Sequence, residues 1–123
     1  MAAIKRFEEI QAWQKARIVA KAVYAATSDG SFARDFGLRD QLRRSSVSAM
    51  ANIAEGFGRR SDKEFANFLN IAQGSVAESQ SHLYIALDLN YVGDEQFTEL
   101  YAKFDEVGRM THALAEHLRK AHK

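Results

Sequence analysis

Five arginines between positions 39 and 60 are the side chains best suited to chemistry: Arg39, Arg43, Arg44, Arg59 and Arg60. The segment that carries them, residues 37–60, contains no lysine. A guanidinium presents a planar fork of N–H donors, which suits phosphate oxygens better than the ammonium of lysine does. Helical proteins also place arginine–carboxylate pairs on their surfaces. The arginines therefore indicate either contact with the phosphates of RNA or DNA, or ion pairing.

Two of these arginines occupy unusual positions on the helix that their segment predicts. At about 100° per residue, Arg39 and Arg43 project into the angular range of Met50, Ala54 and Phe57. A guanidinium there needs a partner, an exit to solvent at the helix end, or a cavity. The apolar arc itself spans about 180°, and its members are Leu38, Leu42, Val47, Ala49, Met50, Ile53, Ala54 and Phe57.

A polar stripe follows the opposite side of the same helix and includes Asn52 and Glu55. If it abuts another helix or subunit, Glu55 can hold Arg44 or Arg59, and Glu78 on the next helix is a third candidate member of a buried network. A solvated face and a catalytic acid are the other two readings. The second of these would require a pocket around Asn52, Glu55 and Glu78 with a perturbed carboxylate.

The sequence offers no motif for a metal, a cofactor or a nucleophile. His112, His117 and His122 are five residues apart, about 140° around a helix from one to the next, and His82 is on a different helix. Neither HExxH nor a Glu-x-x-His pair occurs, and Gly56 and Gly58 are too few for a phosphate-binding loop. We therefore expect no metal, no cofactor and no enzymatic activity.

Composition predicts one soluble helical domain over residues 1–123. The hydrophobic fraction of 46% supports a core, and neither cysteine nor proline occurs. The absence of cysteine is compatible with a reducing cytosol, and the absence of proline lets helices run without interruption. No signal-like or membrane-length apolar segment is present, so we expect a cytoplasmic protein without a membrane association.

Charge is divided along the chain. The first 60 residues carry 11 Lys and Arg against 6 Asp and Glu, whereas the remainder carries 6 against 10, for a net charge of +1. This division either pairs the two halves, in the fold or in an oligomer, or presents a basic surface to an acidic partner.

Apolar periodicity predicts four long helices, at residues 8–26, 37–60, 62–89 and from 94 onwards. Trp13 is the expected core anchor of the first, and residues 28–35 are expected to form a turn. Ser61 and Glu64 fit a capping box at the start of the third helix, whereas Gly56 and Gly58 are expected to loosen the end of the second or cap it in a left-handed conformation. The fourth helix has a coiled-coil-like seam, made of Phe97, Leu100, Phe104, Val107, Thr111, Leu114 and Leu118.

Short connections make an all-α, antiparallel up-down-up-down four-helix bundle the expected fold. The third helix has a second face at helical spacing, which would be wasteful against solvent and therefore indicates a subunit contact. Its residues are Ile71, Ser75, Glu78, His82, Ile85 and Leu89.

Two segments carry a family resemblance over almost the whole chain. FEEIQAWQKARIVAKAVY and GLRDQLRRSSVSAMANIAEGFGRRSDKEFANFLNIAQGSVAE, followed by a long closing helix, resemble the 23S rRNA intervening-sequence proteins, also called four-helix-bundle proteins. The most specific part is ANIAEGFGRRSDKEF at residues 51–65, and WQKA at residues 13–16 is a second landmark. Such sequences often carry proline where Met50 stands, so a kink expected of the family is weaker here.

The resemblance implies a bundle that assembles as a ring-like homopentamer, and it does not imply an enzyme. It also implies a relation to the accessory variability determinant of diversity-generating retroelements, a similar pentamer that associates with a reverse transcriptase and nucleic acid. For the residues that match the motif, it implies a basic surface at Arg43, Arg44, Arg59 and Arg60. Asn52, Glu55 and Gly56 are then structural.

Two hypotheses about function follow. The first is a non-enzymatic, homo-oligomeric module whose basic surface binds RNA or DNA, beside a nucleic-acid enzyme or alone. The second is a protein-interaction scaffold in which the arginines form ion pairs between subunits and the ring docks a protein partner. Salt should distinguish them, because phosphate binding weakens steeply with ionic strength whereas a buried arginine network does not.

Overall fold

A computed structural model describes residues 3–121 of the chain, so His122 lies outside the described residues. The described part is helical and contains no strand. After a 3-10 helix at Phe7–Glu9, its helices are α1 (Gln11–Ala26), α2 (Gly30–Arg34), α3 (Phe36–Phe57), α4 (Asp62–Asp88) and α5 (Asp94–Lys120). No helix in residues 3–121 has the length and hydropathy needed to cross a bilayer.

The four long helices surround one hydrophobic core. α3 packs most extensively on α4 and α4 on α5, and α1 contacts both α3 and α5. Trp13 is buried against Phe7, with ring centroids 5.1 Å apart, which confirms its expected place in the core. The seam of α5 is also confirmed, because its four central residues are buried: Leu100, Phe104, Val107 and Thr111.

Small residues let α3 and α4 approach closely. Hydroxyl groups meet at Ser45–Ser79, 2.7 Å apart, and at Ser75–Ser48, 3.0 Å apart. Farther along the pair of helices, Gly56 lies so close to Phe68 that a Cβ at position 56 would be 2.6 Å from the Phe68 Cβ. We call this line of contacts the serine–glycine seam. Residue numbers rise along it in α3 and fall in α4.

Helix boundaries differ from the sequence expectations at three places. The second long helix spans Phe36–Phe57 rather than residues 37–60. The first long helix begins at Gln11 rather than at residue 8, since Ile10 is extended and separates it from the 3-10 helix. The expected turn at residues 28–35 contains the short helix α2. Phe32 anchors α2 because it is buried and stacks on Tyr91, with ring centroids 5.2 Å apart.

The two ends of the α3–α4 connection correct one prediction and support another. Gly58 has φ −73°, so the expected left-handed cap is wrong, and a right-handed turn ends α3 instead. Ser61 does cap α4, because its Oγ accepts the amide N–H of Glu64 at 3.2 Å. The Ser61 hydroxyl in turn donates to the Glu64 carboxylate at 3.3 Å.

Two apolar-face assignments also change. Val47 was expected in the core arc, but 39% of its surface is exposed, since the core is centred on the far side of α3 at Leu42, Ala49 and Ile53. Ser75 was expected on the second face of its helix, yet it is buried in the serine–glycine seam. The large apolar members of that second face are exposed: Ile71, Ile85 and Leu89.

Candidate nucleic-acid interface

Arg39 is bound within the chain at the start of α3. Its Nη1 donates to the carbonyl oxygen of Ala33 at 3.0 Å, and its Nε donates to the carboxylate of Asp40 at 2.8 Å. The hydrogen bond from Arg39 lowers the pKa of the Asp40 carboxyl below its ordinary value. The guanidinium also lies 4.7 Å from the ring centroid of Phe36. Arg39 thus ties α2 to α3.

Arg43 closes the end of α1. Its Nε donates to Oγ1 of Thr27 at 2.7 Å and its Nη2 donates to the Thr27 carbonyl oxygen at 3.2 Å. Thr27 is buried and follows the last residue of α1, and its own carbonyl lies beyond the last backbone hydrogen bonds of that helix. The guanidinium lies 4.5 Å from the ring centroid of Tyr24. A guanidinium at this position on the apolar arc needs a partner. Arg43 has its partner at the C-terminus of α1.

Arg44 differs from its neighbour. It is exposed, and among residues 3–121 it makes no hydrogen bond or ion pair. Adjacent arginines on one helix thus have different surroundings, because a step of about 100° turns Arg43 toward α1 and Arg44 toward solvent.

Arg59 and Arg60 lie at the opposite end of α3, in the turn that leads to α4. Arg59 donates to the carboxylate of Glu55 at 3.1 Å and lies 4.7 Å from the ring centroid of Phe68, with its side chain 43% exposed. Arg60 is exposed and makes no ion pair or hydrogen bond within the described part of the chain. Since α3 rises about 1.5 Å per residue, this pair is about 20 Å from Arg44. The five arginines form two separate groups.

A cavity of about 490 Å³ opens beside the second group. Its polar lining includes Arg59, Arg60 and His117, and its apolar lining includes Phe57, Phe65 and Leu118. Asp62 also lines it, and contributes negative charge. The α3–α4 turn therefore combines guanidinium donors with an apolar surface.

Sequence reasoning did not include the cations that α5 brings to this end of the molecule. Arg119 is one of them, and it donates to Glu116 at 3.1 Å and to Asn70 of α4 at 2.8 Å. His117, four residues before Ala121, lines the cavity. The basic last turn of α5 was visible in the sequence, but its proximity to residues 59–60 follows from the way the helices pack.

The proposed polar network is not joined within one chain. Asn52 donates to the carbonyl oxygen of Ser48 at 2.9 Å and to its hydroxyl at 3.0 Å. Glu55 pairs with Arg59, as anticipated, and Glu78 lies 3.3 Å from Nε2 of His82. Both glutamate side chains are 56% exposed, as in ordinary surface ion pairs. A network between subunits stays a prediction.

Metal binding has no support in residues 3–121, where no group of three or more His, Cys, Asp or Glu side chains could hold an ion.

Comparison with known proteins gives a family and a structural relative. The family model described as "23S rRNA-intervening sequence protein" matches residues 8–113. A crystal structure of a protein with unknown function from the S23 ribosomal protein family of Bacteroides thetaiotaomicron is similar, with a TM-score of 0.79 and 23% identity over 85% of this chain and 95% of that chain. At this identity the likeness shows the fold. The search of curated proteins finds no match.

Proposed function

The chain belongs to the family of 23S rRNA-intervening sequence proteins, and we propose that it is a non-enzymatic, homo-oligomeric module that contacts RNA or DNA phosphates. The contacts are made by Arg59 and Arg60. The observation that carries the proposal is the pair of adjacent, exposed arginines in the α3–α4 turn. Arg39 and Arg43 serve the fold instead, because their donors are occupied within the chain.

The proposed architecture is an antiparallel, up-down-up-down four-helix bundle that assembles as a ring-like homopentamer in the cytoplasm. The contacts of the serine–glycine seam support opposite directions for α3 and α4, since residue 45 meets 79 and residue 56 approaches 68. Exposed apolar side chains on α4 support the assembly, because an isolated chain leaves Ile71, Ile85 and Leu89 in water.

Assembly would compensate for the small charge of a single chain, which is +1. A ring presents one arginine pair per subunit, and a phosphate backbone that contacts one pair meets the next at a high effective concentration. Each contact releases counterions from the nucleic acid, so the affinity depends steeply on salt. The proposed mechanism is therefore multivalent phosphate contact.

The test is fluorescence anisotropy with a structured RNA and a matched DNA duplex at low and at physiological salt. The wild type is compared with Arg59→Glu/Arg60→Glu, and with Lys15→Glu/Lys103→Glu as a control of equal net charge whose changes lie on α1 and α5. We expect salt-sensitive binding that falls about tenfold or more in the first variant, because two phosphate contacts are lost. The control should bind within about threefold of the wild type, since a distant charge contributes little at physiological salt.

Two outcomes would reject phosphate contact by this turn: no binding by the wild type at low salt, or equal losses in both variants. The first outcome favours the second candidate function, a scaffold that docks a protein such as a nucleic-acid enzyme. The pairing of Arg59 with Glu55 is the observation behind that candidate, because such pairs can bridge subunits instead of meeting phosphate.

A further inference from the structure

The helices divide by charge. α1 and α3 together carry six Lys and Arg against two Asp and Glu, whereas α4 and α5 together carry five against ten. Since α1 contacts α3 and α4 contacts α5, each pair forms one side of the molecule, and the two sides face opposite directions. The imbalance seen along the sequence is therefore an electrical polarity across the width of the protein.

Exposed apolar side chains divide in the same way. Apart from Ile4, the large exposed hydrophobic residues fall four on each side, each at least 39% exposed. The α1–α3 side has Ile18, Tyr24, Phe36 and Val47, and the α4–α5 side has Ile71, Tyr84, Ile85 and Leu89. Each pair of helices thus carries exposed apolar side chains together with an excess of one sign of charge, a composition expected of contact surfaces rather than of solvated helix faces.

The basic face, as we define it, consists of Arg17, Ile18 and Lys21 of α1 with Arg44 and Val47 of α3. All five residues are exposed. The acid nearest to them in sequence, Asp40, is held by Arg39. Arg17, Lys21 and Arg44 make no ion pair in residues 3–121, so this face presents three unpaired guanidinium or ammonium groups together with two exposed aliphatic side chains.

The acidic face, as we define it, consists of Tyr84, Ile85 and Asp88 of α4 with Tyr101 and Asp105 of α5. The Tyr84 ring, half exposed, lies 5.8 Å from Tyr101, centroid to centroid. Phe97 completes the aromatic group, 5.0 Å from Tyr84 and 5.5 Å from Tyr101. Asp105 already pairs with Arg109 at 2.6 Å, whereas Asp88 makes no ion pair in residues 3–121. Aromatic rings beside an unpaired carboxylate are a favourable surface for guanidinium groups, which stack on the rings and pair with the acid.

We propose that the basic face of one copy docks on the acidic face of the next copy, in a heterologous contact. This inference rests on the homo-oligomer of the proposed function and assigns the surfaces that build it. The occupant is a second copy of this chain because both complementary surfaces are present in one molecule. Contact between two basic faces, or between two acidic faces, would bring like charges together. Head-to-tail contact instead uses both faces of every subunit, and it forms a closed ring when the rotation between neighbouring copies closes.

The assignment separates the roles of the exposed arginines. Arg44 lies within the basic face, so its partner is a carboxylate or tyrosine of the neighbouring copy. Arg59 and Arg60, at the α3–α4 turn, lie outside both faces and stay available to phosphate. A charge change at the α3–α4 turn should therefore leave the oligomer intact. A change in either face should affect the oligomer without removing a phosphate contact.

Two face-breaking variants test the contact by native mass spectrometry. Ile18→Glu/Val47→Glu disrupts the basic face, and Tyr84→Lys/Ile85→Lys disrupts the acidic face. All four positions are exposed, so far-UV circular dichroism should show unchanged helicity. We expect each variant alone to be monomeric. Their equimolar mixture should give a one-to-one dimer and nothing larger, because one intact face remains on each. Assembly of either variant alone, at the wild-type mass, would overturn the proposal.

Crosslinking tests the same contact in solution, so it detects an interface between two copies that is too weak to survive in the gas phase. The chain has no cysteine, so Val47→Cys and Ile85→Cys each create a unique thiol. If the contact is heterologous, a short bismaleimide should join the two proteins only when they have been refolded together. A dimer from either protein alone would show a symmetric contact and reject the proposal.

The combined results separate failure of this contact from failure of the proposed function. A monomeric wild type would reject both the homo-oligomer and this contact. An assembled wild type that binds nucleic acid, but shows no mixed dimer and no mixed crosslink, would reject the contact alone. Assembly with a mixed dimer but without nucleic-acid binding would reject phosphate contact and leave the interface established.

Discussion

The two ends of α3 each carry a pair of arginines, and the pairs are used in opposite ways. At the first end, Arg39 and Arg43 donate to carbonyl oxygens of Ala33 and Thr27 and are held against the protein. At the second end, Arg59 keeps a half-exposed contact with a carboxylate one turn away, and Arg60 is exposed. Residue type and helical spacing are similar, so the difference comes from the connections that the arginines border.

Local donors close both of the helix ends at these connections, and only the first also uses an arginine side chain. At the end of α1, Thr27 and Ser28 donate to the carbonyls of Val23, Tyr24 and Ala25, and the Thr27 carbonyl takes its hydrogen bond from Arg43. At the end of α3, the N–H of Gly58 donates to the carbonyls of Ala54 and Glu55. Nearby arginines are therefore not required there. Arg60 is available for a ligand, whereas Arg43 is occupied by Thr27.

The largest expected effect comes from Gly56, which allows α3 and α4 to pack closely near the second end of α3. Gly56→Val should destabilise the protein by about 3 kcal/mol or more, because even a Cβ at this position would lie 2.6 Å from Cβ of Phe68. Gly58→Ala is the matched control and should change the free energy of unfolding by no more than about 0.5 kcal/mol, since its Cβ would be 3.4 Å from the nearest atom. Urea unfolding followed by circular dichroism measures both, and equal losses would contradict the steric explanation.

Arg43 and Arg44 are adjacent near the first end of α3, and their replacement should have a smaller effect on the free energy of unfolding. Arg43→Met should cost about 1 to 3 kcal/mol, because it leaves Thr27 without its charged donor in a buried site. Arg44→Met should cost about 0.5 kcal/mol or less in the monomer, since this side chain is exposed and makes no ion pair in the described residues. Thermal unfolding of both variants at low protein concentration checks the difference. Equal stability would remove the structural role assigned to Arg43.

The cap of α4 separates stability from binding at the second end. Ser61→Ala should lose about 1 kcal/mol of unfolding free energy, because Ser61 accepts the Glu64 amide. Ser61→Asp should keep the cap but place a carboxylate beside Arg59 and Arg60, so its stability should stay near the wild type while its affinity for RNA falls. If Ser61→Asp bound RNA as well as Ser61→Ala does, the arginines of this turn would not be the contact.

Alkaline pH probes the first end, where polar contacts hold the connection. The Tyr91 hydroxyl donates to the Asp35 carboxylate at 2.9 Å, and this hydrogen bond raises the pKa of Tyr91 above its ordinary value of 10.0. A raised pKa in the folded state contributes stability below pH 10 that is lost as pH rises through the folded pKa. Tyr91→Phe should therefore show a shallower loss of melting temperature above pH 10.

A residual slope in that variant is expected from Tyr101, whose pKa is also raised, chiefly by the charge of Tyr84. Asp35→Asn serves as a second variant, since it removes the carboxylate that raises the Tyr91 pKa. Alkaline profiles identical to that of the wild type in both variants would show that this hydrogen bond does not couple folding to pH.

Local rules predicted the helices well, because their evidence is local. Trp13, the α5 seam and the Ser61 cap depend on periodicity or on residues three apart, and each is found in the structure. Gly56 was expected to loosen a helix end, yet its role is a close approach to Phe68. That role depends on a neighbouring helix, which spacing within one segment does not reveal.

The candidate site was predictable in its residue types but not in its grouping. All five arginines were identified from the sequence, but the bonds from Arg39 to Ala33 and from Arg43 to Thr27 join positions 6 and 16 residues apart. Arg17 and Lys21 were not identified at all, because a helix with three cations looks ordinary until its packing against α3 places it on a basic side.

The serine–glycine seam also has a consequence for how α3 and α4 choose their alignment. The hydroxyl pairs Ser45–Ser79 and Ser48–Ser75 exist at one axial offset of the two helices. A slide by one turn, about 5.4 Å, would keep at most one hydroxyl pair, would leave the other buried hydroxyls without that partner and would move Phe68 off Gly56. Leucine-rich helices tolerate several offsets, whereas this seam penalises all but one. Replacing its serines with alanine should thus preserve the helices while relaxing their register, which makes the seam a determinant of uniqueness more than of strength.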